Sequence, residues 1–134
     1  MVAQFIDLEQ FKDSRGSLIP LDGIPFEIQR VYCVLAPPGH AVTRGNHAHR
    51  RAQQVFVCLS GESGWILDDA ARTPTVSYEV LTSPNRGLVV PPMVWHSFTL
   101  SAGGIILALA SEAYDEEEYI RDFEEWKSLI RSGT

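Results

Sequence analysis

The sequence predicts an all-β sandwich or barrel that ends in one C-terminal amphipathic α-helix. Short runs rich in β-formers recur along most of the chain, with Gly, Pro, Asn and Asp turn signals about every eight to twelve residues. Near residue 116 the pattern changes to helical spacing and stays so to about residue 131. No internal repeat or low-complexity tract interrupts the 134 residues, a length that suits one domain with a single core. The expected organisation is a barrel over about 1–112 and a helix over about 116–131.

The strands follow in order. Phe5 to Leu8 opens the set, and Asp13-Ser14-Arg15-Gly16 has the polar-plus-glycine chemistry of a turn before a strand at Ser17 to Leu21. Ile28 to Leu35 is rich in β-formers and stops at Pro37-Pro38-Gly39. Val42 to Arg44 runs on through His47 to His49, and Gln53 to Leu59 is the next strand. Ser60 to Gly64 reads as a hairpin connection to Trp65-Ile66-Leu67. Strands near Thr75 to Leu81 and Leu88 to Val90 come next. A further hairpin is expected between Trp95–Leu100 and Ile105–Ala110, across Ala102-Gly103-Gly104. In the tail, Asp115 reads as an N-cap and Glu118 as its capping-box partner. Tyr119, Ile120, Phe123, Trp126 and Ile130 then form the apolar stripe, suited to packing on the core or on a second copy.

Composition narrows the function. A net charge of −6 argues against nucleic acid as the main partner, because phosphate contacts dominate that affinity. No apolar run approaches the roughly 20 residues of a membrane span. The amino terminus, MVAQFIDLEQF, carries acids where a signal peptide carries positive charge, so a cytoplasmic location is expected. Cys33 and Cys58 fall inside strands and read as buried reduced thiols.

The chemistry concentrates between Arg44 and Gly61, RGNHAHRRAQQVFVCLSG. On a strand, residues two apart share a face, so His47 and His49 enter one cavity. Together with Gln54 and Gly61 they resemble the first signature of the cupin family, with Gln54 at the acidic position. Pro91-Pro92-Met93-Val94-Trp95-His96 resembles the second, with Met93 in place of a glycine. The resemblance implies a jelly-roll (double-stranded β-helix) barrel that brings His96 to the other two histidines. Two uses of such a set are open. Three imidazoles are enough for zinc, iron or nickel, but the usual carboxylate is replaced by the weaker donor Gln54. Alternatively the imidazoles move protons, which a pKa near 6.5 suits at neutral pH.

A second resemblance favours proton transfer. Asp13-x-Arg15-Gly16, Arg30-Val31-Tyr32, Arg44-Gly45-x-His47-Ala48-His49-Arg50 and Leu67-Asp68-Asp69 match the nucleotide-sugar 3,4-ketoisomerases (WxcM-like, FdtA-like). So do Gly87-Leu88, Pro91-x-Met93-x-Trp95-His96, Ala110-Ser111-x-x-Tyr114-Asp115-Glu116 and Tyr119-Ile120-Arg121, in order over nearly the whole chain. The family's second tyrosine after Arg-Val-Tyr is Cys33 here. The resemblance implies a metal-free, cofactor-free homodimer that moves the ketone of a dTDP-4-keto-6-deoxyhexose from C4 to C3. It makes His47 the C3 base, with His49 and Tyr32 serving the O3 and O4 oxygens. Arg15 and Arg44 would clamp the diphosphate, for which a guanidinium fork is well shaped. Gln54, His96 and Trp95 complete the expected substrate-binding set, Trp95 reading equally as cavity wall or as core. The competing readings are a dTDP-sugar 3,5-epimerase, against which the R-G-x-H-A-H run speaks, and a non-catalytic sugar-binding module.

Overall fold

A computed structural model describes residues 2–133. Eleven strands precede the tail: β1 (Gln4–Asp7), β2 (Phe11–Asp13), β3 (Gly16–Leu18), β4 (Arg30–Leu35), β5 (Val42–His49), β6 (Gln54–Ser60), β7 (Ser63–Asp68), β8 (Val76–Leu81), β9 (Arg86–Val90), β10 (Trp95–Leu100) and β11 (Ile105–Ala110). A two-residue strand, β12 (Tyr119–Ile120), and a helix, α1 (Phe123–Arg131), close the chain. Two five-stranded antiparallel sheets form, ordered β1-β9-β6-β11-β4 and β12-β5-β10-β7-β8, and β2 and β3 make a separate ribbon. This is the jelly roll that the sequence predicts.

The core lies between the sheets because inward positions alternate with outward ones. Phe56, Cys58, Leu88, Val90, Ile106 and Ala108 from the first sheet meet Trp65, Leu67, Leu81, Phe98 and Leu100 from the second. On β7 the alternation is clean: Ser63, Trp65 and Leu67 are buried, Gly64 and Ile66 exposed. A second apolar layer, in which Ile19, Leu21, Ile24 and Phe26 lie with Val55, Val57 and Val89, covers the outer face of the first sheet.

Several expectations change. The turns at Gly61 and at Gly103 do not join hairpins, because β6 and β11 pair with each other in one sheet while β7 and β10 pair in the other. Each turn carries the chain across the sandwich instead. The single helix over 116–131 is also corrected. Glu116–Glu118 is one 3₁₀ turn, Tyr119 and Ile120 pair with His49 and Ala48, and α1 starts from Asp122, which caps Glu124 N at 2.9 Å. Glu118 does not close a capping box with Asp115. Its buried carboxylate accepts from Arg51 N at 2.6 Å and Ala52 N at 2.7 Å, which fixes the turn between β5 and β6. Without it two backbone donors would lose their acceptor, at about 1–3 kcal/mol each. Cys33 is exposed on the outer side of the edge strand β4, and only Cys58 is buried.

The feature that aims the site is a β-bulge in β5. His47 lies opposite His96 and Gly45 opposite Ser97, so Asn46 is an extra residue with no partner. Gly45 has φ of 85° and Asn46 of 67°. Glycine adopts such angles freely and asparagine tolerates them better than most side chains. One extra residue reverses the alternation. Val42 and Arg44, opposite the core residues Leu100 and Phe98, lie on the inner face; beyond the bulge that face passes to His47 and His49. A Cβ on Gly45 would stand 3.0 Å from the His96 carbonyl oxygen. Gly45→Ala should therefore lower unfolding free energy by about 1–3 kcal/mol in urea melts, the cost of one strained backbone site. Asn46→Gly, which keeps the bulge, should change it far less.

Candidate active site

The inner faces of five strands converge at one end of the barrel. The rings of His47 and His49 from β5 and of His96 from β10 have centroids 5.0 Å apart for His47–His49 and His47–His96, and 5.9 Å for His49–His96. Gln54 opens β6 at their side, fully enclosed. Tyr32 comes from β4 and Tyr119 from β12. The sequence places all but Tyr119 there.

Hydrogen bonds set the protons. Tyr32 donates to Gln54 Oε1 at 2.6 Å, which turns the amide so that its Nε2 donates to His49 Nε2 at 2.9 Å. The proton of a neutral His49 ring then sits on Nδ1. His96 donates from Nδ1 to the Val94 carbonyl at 3.0 Å, leaving its Nε2 lone pair free. His47 Nδ1 is buried and has no partner among the described residues. Buried polar atoms are nearly always satisfied, so this one marks where a ligand would bind.

Burial keeps all three rings uncharged, with repulsion from neighbouring rings adding to it for His47 and His49. Burial, then the neighbouring His96 and then Arg121, push His47 down from 6.5 to about 3. Burial, with His96, His47 and Arg30 adding to it, lowers His49 to about 3. Burial takes His96 to about 4 against the opposing bond to Val94. Burial also pushes the Tyr32 phenol well up, so it stays protonated. At neutral pH the site holds unprotonated bases.

The cupin fold implies a metal, and the imidazole nitrogens of His47, His49 and His96 lie within 4.8 Å of one another. The donor set does not fit one. His49 spends its lone pair on the Gln54 amide, and Gln54 spends its oxygen on Tyr32. Two free imidazole lone pairs and no carboxylate remain, short of the three or four protein ligands of ordinary sites.

The other expected residues divide. Arg44 lies opposite Phe98, exposed and in no ion pair among the described residues. Arg15 lies in the turn between β2 and β3, 88% exposed and paired with Asp13, on a ribbon that joins neither five-stranded sheet. Trp95 is not part of the cavity. It faces outward, packs with Ala48, Ile120 and Trp126, and donates to Asn46 Oδ1 at 3.3 Å, so it braces the bulge. Met93 holds φ of 66° where the signature has glycine. Its N donates to His49 O at 2.7 Å, and its carbonyl accepts from Trp126 Nε1 at 2.9 Å.

Two residues escaped the sequence reading as site residues. Tyr119, assigned there to a helical stripe, lies with its ring centroid 5.0 Å from His47 and 4.5 Å from His49. Arg30 donates to Tyr119 Oη at 2.9 Å and spreads its guanidinium 4.4 Å from the Tyr32 ring centre. The signals were available: Arg30 shares the inner-face parity of Tyr32, and Tyr119-Ile120 is also a two-residue alternation.

The depressed imidazole pKa values carry a stability consequence. Below pH 6.5 the unfolded chain binds protons on these histidines that the folded chain refuses, so stability is greatest above that pH. It should fall steadily as pH drops from about 6.5 toward 3, following the values near 3, 3 and 4. Urea midpoints across that range check this, and the loss should shrink in His96→Gln.

The family model FdtA, described as WxcM-like, C-terminal, matches residues 1–131. The TDP-4-oxo-6-deoxy-alpha-D-glucose-3,4-oxoisomerase of Aneurinibacillus thermoaerophilus is 40% identical over 134 aligned positions, covering 97% of this chain and 94% of its own. A crystal structure of a 3,4-ketoisomerase from Helicobacter canadensis superposes with a TM-score of 0.87 at 34% identity, over 98% of each chain. The sugar 3,4-ketoisomerase QdtA from Thermoanaerobacterium thermosaccharolyticum, in complex with TDP, gives 0.88 at 32% identity, over 98% of this chain and 96% of that one. On a family model that spans almost the whole chain and a relative 40% identical over nearly its full length, the chain belongs to the FdtA family of WxcM-like proteins.

Proposed function

We infer that this protein is a sugar-nucleotide 3,4-ketoisomerase that moves the keto group of a dTDP-4-keto-6-deoxyhexose from C4 to C3. The observation that carries the reading is three uncharged imidazoles clustered at one end of a barrel, one with an unpartnered nitrogen. The C3 proton is acidified by the neighbouring carbonyl, and a neutral histidine is the base that removes it. His47 takes that role: its Nδ1 is unengaged, whereas His49 is held by Gln54. The electron pair of the C3–H bond becomes the C3=C4 double bond of an enediol. Returning the proton to C4 while the O3 proton leaves gives the 3-ketone. One histidine serves as base and then acid, a step that contributes typically 10²–10⁴-fold. His49 is held in one tautomer beside the reacting carbons, with Gln54 and Tyr32 behind it. His96 lies buried beside the pair, and the exposure of Arg44 supports a diphosphate contact.

The homodimer belongs to the same reading. Phe11 and Leu18 on the ribbon and Val31 and Leu35 on the edge strand β4 are more than half exposed. Such apolar surface on an unpaired edge supports burial against a second copy. The ribbon, with Arg15, pairs with no other strand of its own chain and is the part free to reach across. A cytoplasmic location fits too, since a charged nucleotide sugar does not cross a bilayer unaided.

Incubation with dTDP-4-keto-6-deoxyglucose after exhaustive chelation, followed by NMR, tests the function. The expected product is the 3-keto isomer at a rate unaffected by EDTA. Inversion at C5 would instead support the epimerase. Unchanged substrate that still binds would leave a sugar-binding module, and activity restored only by a divalent ion would overturn the metal-free chemistry.

A further inference from the structure

One buried titratable group takes no part in the chemistry described above. Glu118 lies in the tail between β11 and β12 and is only 3% exposed. It meets the turn from Arg50 to Gln53, which separates His49, the last residue of β5, from Gln54, the first of β6. Every N–H of that turn bonds to the tail. Arg50 N donates to the Glu118 carbonyl at 2.9 Å, and Arg51 N and Ala52 N donate to Glu118 Oε1 at 2.6 and 2.7 Å. Gln53 N donates to Ser111 Oγ at 2.8 Å. Contacts as short as the two on Oε1 are those of charge-assisted bonds, roughly twice as strong as neutral ones. The second oxygen, Oε2, lies 3.3 Å from Arg51 Nη2. A carboxylate this far from water is costly unless its partners compensate. Here the partners are the backbone that joins two residues of the site.

We propose that Glu118 is a positioning residue for the isomerisation: by holding the turn between β5 and β6 it sets the Gln54–His49 contact, and through that contact the tautomer of His49. This rests on the ketoisomerase reading above. The contact is a single hydrogen bond of 2.9 Å, and a separation of about 3.6 Å would end it. While it holds, Nδ1 of a neutral His49 carries the proton. Once it breaks, the proton can move to Nε2, and Nδ1 becomes an acceptor. The two forms present opposite hydrogen-bonding groups to a sugar oxygen, so a mixture leaves part of the enzyme wrongly set.

The topology gives this task to the turn. β5 and β6 belong to different sheets, so no ladder hydrogen bond links His49 to Gln54. Tyr32 orients the Gln54 amide through its bond to Oε1 at 2.6 Å, but it does not set how far Gln54 stands from His49. That separation follows from the stretch of backbone that crosses between the sheets, and Glu118 accepts three of its four N–H bonds.

One oxygen accepts both Arg51 N and Ala52 N, which ranks the substitutions. Glu118→Gln keeps an acceptor there, Glu118→Asp draws it back by one methylene, and Glu118→Ala removes it. In Glu118→Ala, nitrogen-15 NMR should show the His49 ring divided between its tautomers, where the native ring holds the proton on Nδ1. Its kcat on dTDP-4-keto-6-deoxyglucose should fall by about 10- to 100-fold, the cost of a slightly misplaced group, while dTDP affinity measured by calorimetry stays within about twofold of native. Glu118→Gln should keep the native tautomer and a kcat close to native. A residue that only stabilises the fold would lower the melting temperature of Glu118→Ala and leave tautomer and kcat unchanged, and that result overturns the proposal. A Glu118→Gln variant as impaired as Glu118→Ala overturns it too. Should Glu118→Ala fail to bind dTDP, Glu118→Asp carries the same test with the same outcomes. A native protein that binds dTDP but forms no 3-keto sugar overturns the ketoisomerase reading alone, and the His49 tautomer in the variants then decides the positioning.

Discussion

One extra residue in one strand decides which way the reactive groups point. Without the bulge at Gly45 and Asn46, the alternation of β5 would carry Arg44, Asn46 and Ala48 inward and send both histidines to the outer face. There they would meet Trp95, Ile120 and Trp126 under α1, an apolar layer with no acceptor for an imidazole. The bulge exchanges these faces midway. Arg44 has the inner face before the bulge, and His47 and His49 take it beyond. Much of the neighbouring structure serves to hold that exchange. Trp95 bonds Asn46 from outside, Met93 keeps a left-handed backbone to reach the His49 carbonyl, and Trp126 bonds the Met93 carbonyl in turn. The C-terminal helix is thus tied to the site through two hydrogen bonds and a tryptophan pair.

Burial then does the chemical tuning. Burial disfavours the charged form of all three imidazoles, and repulsion from the neighbouring rings adds to it for His47 and His49. The result is a set of bases that stay free at neutral pH. Gln54 is central to the difference from a metal-binding cupin. A carboxylate at that position would attract a cation, whereas the amide joins Tyr32 to His49 and settles the tautomer.

The barrel was legible because turn chemistry and β-propensity are local, and the histidine pair was legible because strand parity is local too. What failed needed information from elsewhere in the chain. Whether the turns at Gly61 and Gly103 join hairpins or cross the sandwich depends on which strands pair, which no window of a dozen residues contains. Asp115 and Asp122 both serve as N-caps, Asp115 of a single 3₁₀ turn and Asp122 of the helix, because Tyr119 and Ile120 between them are captured by the open edge of β5. Glu118 was drawn off by two backbone amides that lie sixty-odd positions away in sequence. Trp95, next to His96, necessarily faces the other way, so simple alternation already placed it outside. Asn46 looked uninformative as the variable residue of its motif, yet it is the residue that makes the bulge.

The central claim is that the bulge delivers His47, rather than His49, to C3 as the base. Solvent deuterium wash-in at C3 of bound dTDP-4-keto-6-deoxyglucose reports removal of that proton alone, apart from later steps. With His47→Asn, which cannot accept a proton near neutral pH, wash-in should disappear while the nucleotide still binds; with His49→Asn, slower turnover should leave wash-in detectable. Wash-in that persists in His47→Asn and vanishes in His49→Asn would contradict the account.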